Sequence, residues 1–169
     1  MQDDIVNRVA SSGLETFNLE DYYPEGKRVL LDIKDQLYQG MILREKDFRT
    51  FLKENDWSIY EGKFVAITCS EDAIIPTWAY MLLSIKLKSA KKTVYGNLDD
   101  LEQVLYQEAL SNIDFSKFEG KRVVIKGCSD RSISEQIYIE ATQRLLPYAA
   151  SIMFGEPCST VPLFKKPKQ

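Results

Sequence analysis

The chain contains no histidine. That excludes a Ser-His-Asp triad, a Cys-His dyad, the histidine helix of metalloproteases, a histidine-ligated haem and every zinc site that needs imidazole. A general base must then be a carboxylate, Lys, Tyr or Cys. A metal site must be built from thiolate and oxygen ligands. No Gly-x-Gly-x-x-Gly or Walker-type loop follows a strand pattern, so nucleotide binding has no motif behind it. No apolar run approaches the roughly 18 residues needed to span a bilayer. Residues 1–14 carry Asp3, Asp4 and Arg8 and no apolar stretch of signal-peptide length. The expectation is a cytoplasmic chain with no membrane partner, whose three cysteines are reduced thiols rather than disulfides.

What is present is ordinary in bulk. The 169 residues are 44% hydrophobic and 28% charged, enough for one packed core and one expected domain, 1–169. Lys and Arg number 22 against 25 acidic residues, a net charge of -3. Nucleic-acid binding, which leans on a basic surface, is not expected. The basic end, 165–169, reads as a frayed, disordered tail.

Strand-length apolar runs alternate with helical patterns. Arg28–Ile33, Phe64–Thr68, Thr93–Tyr95, Arg122–Lys126 and Ala149–Phe154 read as strands. Helices are expected over Arg44–Asn55, with Phe48, Phe51 and Leu52 inward, and over Ala73–Leu87, with Pro76 in the first turn. A third should start at the cap Asn97, with Leu98, Leu101, Leu105 and Ala109 inward. A fourth, capped by Ser132 or Ser134, carries Ile137, Ala141 and Leu145. Strand and helix in alternation predict an α/β domain with a mainly parallel sheet and helices on both faces. The segment up to about Tyr23 is less readable.

A repeat runs through this pattern. Residues 56–67 read DWSIYEGKFVAI and residues 114–125 read DFSKFEGKRVVI. Seven of the twelve positions are identical, and two more pair aromatics, Trp57 with Phe115 and Tyr60 with Phe118. After one inserted residue, Gly127, both copies continue with Cys-Ser and an acidic residue. An aromatic turn that launches a strand explains the EGK segment. It does not explain why Cys-Ser recurs at the strand's far end.

All three cysteines precede serine: Cys69–Ser70, Cys128–Ser129 and Cys158–Ser159. Serine fills 13 of 169 positions, so a triple coincidence is rare. Each cysteine stands at or just past the end of a strand pattern. In an open parallel sheet, the carboxyl ends of the strands line the ligand crevice. If the three strands are neighbours, the three sulfurs open onto one sheet edge. A thiol placed there before a helix N-terminus would have a lowered pKa, and nearby hydroxyls and amides could donate to the sulfurs. Cys69, Cys128 and Cys158 are therefore candidate ligands for zinc or an iron–sulfur cluster. Glu71, Asp72, Asp130 and Glu156 are the candidate oxygen ligands. There is no Cys-x-x-Cys pair, which would have made a metal site specific.

Two other readings stay open. Cys128 or Cys158 could serve a thiol enzyme or a persulfide carrier, with Arg131 or Arg122 supplying positive charge. The loop of cysteine phosphatases is absent, because position 134 is Ser and position 75 is Ile. The cysteines could also be inert buried residues of a partner-binding module. The run Arg44–Glu45–Lys46–Asp47 reads as a solvated helix face. Trp78, Tyr80 and Met81 read as core or interface, and Tyr22–Tyr23–Pro24 as a packed loop. Self-association stays open.

In the segments ILREKDFR (Ile42–Arg49), TCSEDAIIPTWAYMLL (Thr68–Leu83), RVVIKGCSD (Arg122–Asp130) and SIMFGEPCSTVPL (Ser151–Leu163), the chain resembles an uncharacterised bacterial family found mainly in Bacteroidetes. The family is catalogued as a domain of unknown function. The resemblance covers nearly the whole chain and implies no established activity and no catalytic residue. It implies a setting near iron–sulfur cluster assembly genes, with assembly proteins as partners.

Overall fold

A computed structural model describes residues 13–127, 131–156 and 159–167. In chain order the elements are β1 (Leu14–Phe17), β2 (Arg28–Asp32), β3 (Leu37–Tyr38), β4 (Ile42–Leu43), α1 (Glu45–Glu54), β5 (Phe64–Thr68), α2 (Thr77–Lys86), β6 (Lys92–Tyr95), α3 (Leu98–Ser111), β7 (Arg122–Lys126), α4 (Glu135–Leu145), β8 (Ser151–Glu156) and β9 (Ser159–Lys165). Short 3₁₀ turns precede β5 and β7 and follow β1 and β2. The α/β class and the mainly parallel pairing expected from the sequence are present.

The strands divide between two larger sheets and a two-stranded ribbon, and the chain between two compact units. One unit is Glu25–Leu105; the other is split into Met1–Pro24 and Tyr106–Gln169. In the inserted unit, β2, β5 and β6 form a parallel sheet with β5 in the middle, and β3 and β4 form a small antiparallel ribbon. One face of β5 presents Val65 and Ile67 to Phe48 and Leu52 of α1 and to Ala79 and Leu83 of α2. The other face presents Phe64 and Ala66 to Leu101 and Leu105 of α3. Both faces are covered by helices, which is why β5 is a continuous apolar run rather than an alternating one.

In the split unit the sheet order is β1-β7-β8-β9, parallel except for the final pair. Val123, Ile125 and Ile152 pack with Phe17, Leu110, Ile137, Ala141 and Leu145. The unit boundary falls within α3, which gives Leu101 and Leu105 to one core and Tyr106 and Leu110 to the other.

Several expectations are refined. α2 starts at Thr77 rather than Ala73, because Pro76 holds an extended conformation at the cap position. The inward stripe of α3 runs through Leu101, Leu105, Tyr106 and Leu110, whereas Leu98 is 40% exposed. Met81, read as core or interface, is exposed, while Trp78 and Tyr80 pack against the inserted core. The tail is shorter than expected. Lys165 ends β9, and the Lys166 amide donates to the Ala150 carbonyl at 2.8 Å. Lys168 and Gln169 lie outside the described residues.

Asn97 caps α3 as expected. Its Oδ1 accepts from the amides of Asp99 (2.8 Å) and Asp100 (3.0 Å), and Asp100 Oδ2 accepts from the Asn97 amide (2.8 Å). This reciprocal box satisfies amides that a helix start leaves unpaired. Asn97→Ala should lower stability by about 1 kcal/mol, read as a shift in urea midpoint at constant slope. No shift would show that solvent replaces the cap without cost.

The sequence repeat is a structural repeat. Asp56 Oδ1 accepts from the Ser58 amide and hydroxyl at 2.9 and 2.6 Å, and Asp114 Oδ1 accepts from the same groups of Ser116 at 3.0 and 2.6 Å. Gly62 and Gly120 then turn at φ 66 and 69, a left-handed conformation that glycine adopts without steric cost. β5 and β7 follow. The next helices seat Ala79, Leu83 and Leu87 in one core and Ile137, Ala141 and Leu145, at matching spacing, in the other. The ring pair Tyr80–Tyr95 (4.9 Å) recurs as Tyr138–Phe154 (5.6 Å), joining helix to third strand in each unit. The first strands also match. β2 ends at Asp32, whose Oδ1 accepts from the Lys34 amide, and β1 leads to Asn18, whose Oδ1 accepts from the Glu20 amide. The second copy thus takes its first strand from the start of the chain.

Candidate functional site

Cys69 is the residue immediately after β5, at the carboxyl edge of the inserted sheet. It is a free, half-buried thiol packed against the inserted core, with Sγ 3.7 Å from the Glu71 carbonyl oxygen. Ser70 is tied to the neighbouring strand. Its amide donates to Asp32 Oδ1 at 3.1 Å and its hydroxyl to Asp32 Oδ2 at 2.6 Å. The serine that follows the cysteine therefore acts locally, linking the ends of β5 and β2. Sequence reading missed Asp32 as the partner. The signal was its place at the end of RVLLD, level with the end of β5 once Asp32 pairs with Thr68.

Partial burial pushes the Asp32 carboxyl up, but the Ser70 hydroxyl, the amides of Lys34 and Ser70 and the Lys34 charge outweigh it and hold the group below its ordinary value. A lowered folded-state pKa stabilises above the unfolded value and loses that stabilisation as pH falls through the folded value. Asp32→Asn should therefore flatten the loss of stability between neutral pH and about pH 3. Urea midpoints of the two proteins that fall in parallel over that range would contradict this role. Beside the strand end, burial, followed by Tyr95 and Cys69, pushes the Tyr80 phenol above its ordinary value.

Two premises of the thiolate argument change. Cys69 does not stand at a helix N-terminus, because residues 70–76 separate it from α2. The three cysteine-bearing strands are not neighbours in one sheet: β5 pairs with β2 and β6, whereas β7 and β8 pair with each other. Cys128, Asp130 and Cys158 lie outside the described residues. Their attachment points do not. β7 and β8 are adjacent and parallel, with Lys126 opposite Gly155, and the Gly127 amide donates to the Gly155 carbonyl at 3.3 Å. One residue on from Gly127 is Cys128, and two residues on from Glu156 is Cys158.

Of the oxygen candidates, Glu71 and Asp72 are exposed beside Cys69 and Glu156 is half-buried at the end of β8. Among the described residues no group of three or more cysteines and carboxylates is placed to hold a metal ion. Arg122 stands at the amino edge, the far end of β7 from Gly127. The Arg131 guanidinium lies 3.8 Å from the centre of the Tyr23 ring.

A family model described as "Protein of unknown function (DUF2480)" matches residues 3–166. The chain belongs to this family. No curated protein and no solved structure shows detectable similarity to it. Membership of DUF2480 brings no assigned activity, so function must be argued from the residues. Among the described residues no helix is long and apolar enough to cross a membrane.

Proposed function

We propose that this DUF2480 protein is a cytoplasmic thiolate metal-binding protein that holds zinc or an iron–sulfur cluster and serves iron–sulfur cluster assembly. Cys128 and Cys158 are the ligand pair, and Asp130 and Glu156 are the oxygen donors nearest to it in sequence. The supporting observation is the register of β7 with β8. Neighbouring strands lie about 4.8 Å apart, and these two end side by side before delivering one cysteine each. Paired thiolates without imidazole suit zinc or iron–sulfur chemistry. Bound metal would draw the thiols to thiolates and release their protons.

The test is elemental analysis and an absorption spectrum of protein purified without oxygen or chelator. About one zinc or one cluster per chain is expected. Cys128→Ser and Cys158→Ser should each lower occupancy at least about tenfold. Cys69→Ser, in the inserted unit, should keep the wild-type occupancy. Metal-free protein that takes up neither metal nor cluster on reconstitution would end this reading.

A further inference from the structure

Helix α2 is apolar on two opposite faces. Ala79, Leu83 and Leu87 face the inserted core and are buried. On the other side Trp78 is half-buried, Met81 is 62% exposed and Ile85 is 64% exposed. These three positions fall within about 60° of arc on an α-helix, turned away from the core stripe. Ile74, 92% exposed, continues the stripe ahead of the helix, and its bridge to the exposed Ile42 widens it. A surface helix ordinarily carries polar side chains on its outer face, and an exposed apolar patch of this kind marks an interaction surface. The charges around the stripe are sorted. Residues 73–85 carry none. Glu71 and Asp72 stand at its amino end, Lys86 and Lys88 at its carboxyl end, and all four are exposed.

We propose that this face of α2 pairs with the same face of a second copy of the chain, antiparallel about a twofold axis. One register satisfies the whole stripe. With Trp78 opposite the partner's Met81, Ile74 meets the partner's Ile85 and Glu71 meets the partner's Lys88. The match follows from equal steps: three and then four residues inward from Glu71 reach Ile74 and Trp78, and the same steps inward from Lys88 reach Ile85 and Met81. A twofold axis makes each contact twice, as a self-complementary patch requires. An apolar centre of aromatic and methionine side chains inside a charged rim is the usual anatomy of an interface. The charges also choose the direction. A parallel pairing would set Glu71 beside Glu71 and Lys88 beside Lys88, and such like-charge contacts suppress the wrong arrangement.

The experiment is sedimentation velocity of the full chain across the micromolar range. A mass of two chains is expected, falling to one on dilution. Met81→Glu places a carboxylate beside the axis and should raise the dimer dissociation constant at least about a hundredfold. Met81 is exposed in the single chain, so the fold should be kept, and circular dichroism checks that. Glu71→Lys and Lys88→Glu should each raise the constant about tenfold, because like charges then face each other at both ends of the pair. Mixing these two variants should give a heterodimer with the wild-type constant, since each supplies the charge that the other lacks. A mass of one chain at every concentration would overturn the proposal and leave the face to a different protein. A dimer indifferent to Met81→Glu would place the contact on another surface and overturn it too. A dimer that weakens with Met81→Glu but ignores both charge changes would overturn the antiparallel pairing.

Discussion

Phe48→Ala is expected to lower the unfolding free energy by about 3–5 kcal/mol. Phe48 is fully buried on α1, and its ring lies 5.8 Å from that of Phe51 and 6.0 Å, edge to face, from that of Trp78. Removing it deletes apolar burial and a pair of ring contacts worth about 0.5–1.5 kcal/mol each. It also leaves a void that the surroundings cannot close. α2 is held to β5 by Ala79 and Leu83, both fully buried, so it cannot slide inward without breaking other contacts. Phe51 on the same helix is only half-buried, and Phe51→Ala should cost about 1–2 kcal/mol. The contrast separates a core anchor from a flank. Trp57 and Trp78 are the chain's two tryptophans and both belong to the inserted unit. Urea unfolding followed by tryptophan fluorescence therefore reads the affected unit directly. A cost for Phe48→Ala below about 1 kcal/mol would mean that the α1–α2 packing is plastic.

The elements that were legible in the sequence are those whose burial is two-sided or whose ends carry a chemical mark. β5 is a continuous apolar run because helices cover both its faces, β7 carries the buried run Val123–Ile125, and the limits of both strands agree with the sequence reading residue for residue. α3 is marked by Asn97, and α1 by the spacing of Phe48 and Leu52. What was not legible depends on pairing. β1 is four residues of mixed exposure and becomes a strand only through its parallel partner β7. β3 and β4 have two residues each. β9 contains Pro162, which cannot donate to a ladder, and is accommodated beside a register shift in an antiparallel pair.

The division into two sheets was hidden for a related reason. The strand–helix alternation is unbroken along the chain, and no linker marks the change of sheet. Only the repeat hinted at it. Two copies of one strand-launching turn need not feed one sheet; here each begins the central strand of its own parallel trio. The duplicated Tyr80–Tyr95 and Tyr138–Phe154 contacts were invisible because the partners sit in segments that were read separately, as helix face and strand. Of the candidate site, the position of each cysteine relative to its strand was readable. The partition of Cys69 from the other two was not.

Gly155→Ala tests whether that partition matters, and it should lower metal occupancy while leaving every thiol in place. Gly155 has φ 124, a conformation that side-chain-bearing residues rarely adopt, and a methyl group there would meet the Ser159 carbonyl oxygen at 2.5 Å. That oxygen belongs to the backbone of β9, so it cannot rotate aside. Relief requires the end of β8 to shift against the start of β9, at a cost of about 1–3 kcal/mol. Gly155 also accepts the amide of Gly127. The residue thus lies at the paired ends of β7 and β8, the strands that precede Cys128 and Cys158 in the chain, and moving it disturbs that pairing. At Gly127 a methyl would meet the Phe154 ring tip at 2.9 Å, and a ring edge can yield more readily than a strand backbone. Gly127→Ala should therefore do less. If the two cysteines form the primary pair, occupancy should fall about tenfold in Gly155→Ala, with the wild-type level kept in a variant of equal stability loss placed in the inserted unit, such as Phe51→Ala. Equal occupancy in both variants would remove the strand-end pair as the metal site and leave Ser70 and its bond to Asp32 as the structural reason for the Cys-Ser of the inserted unit.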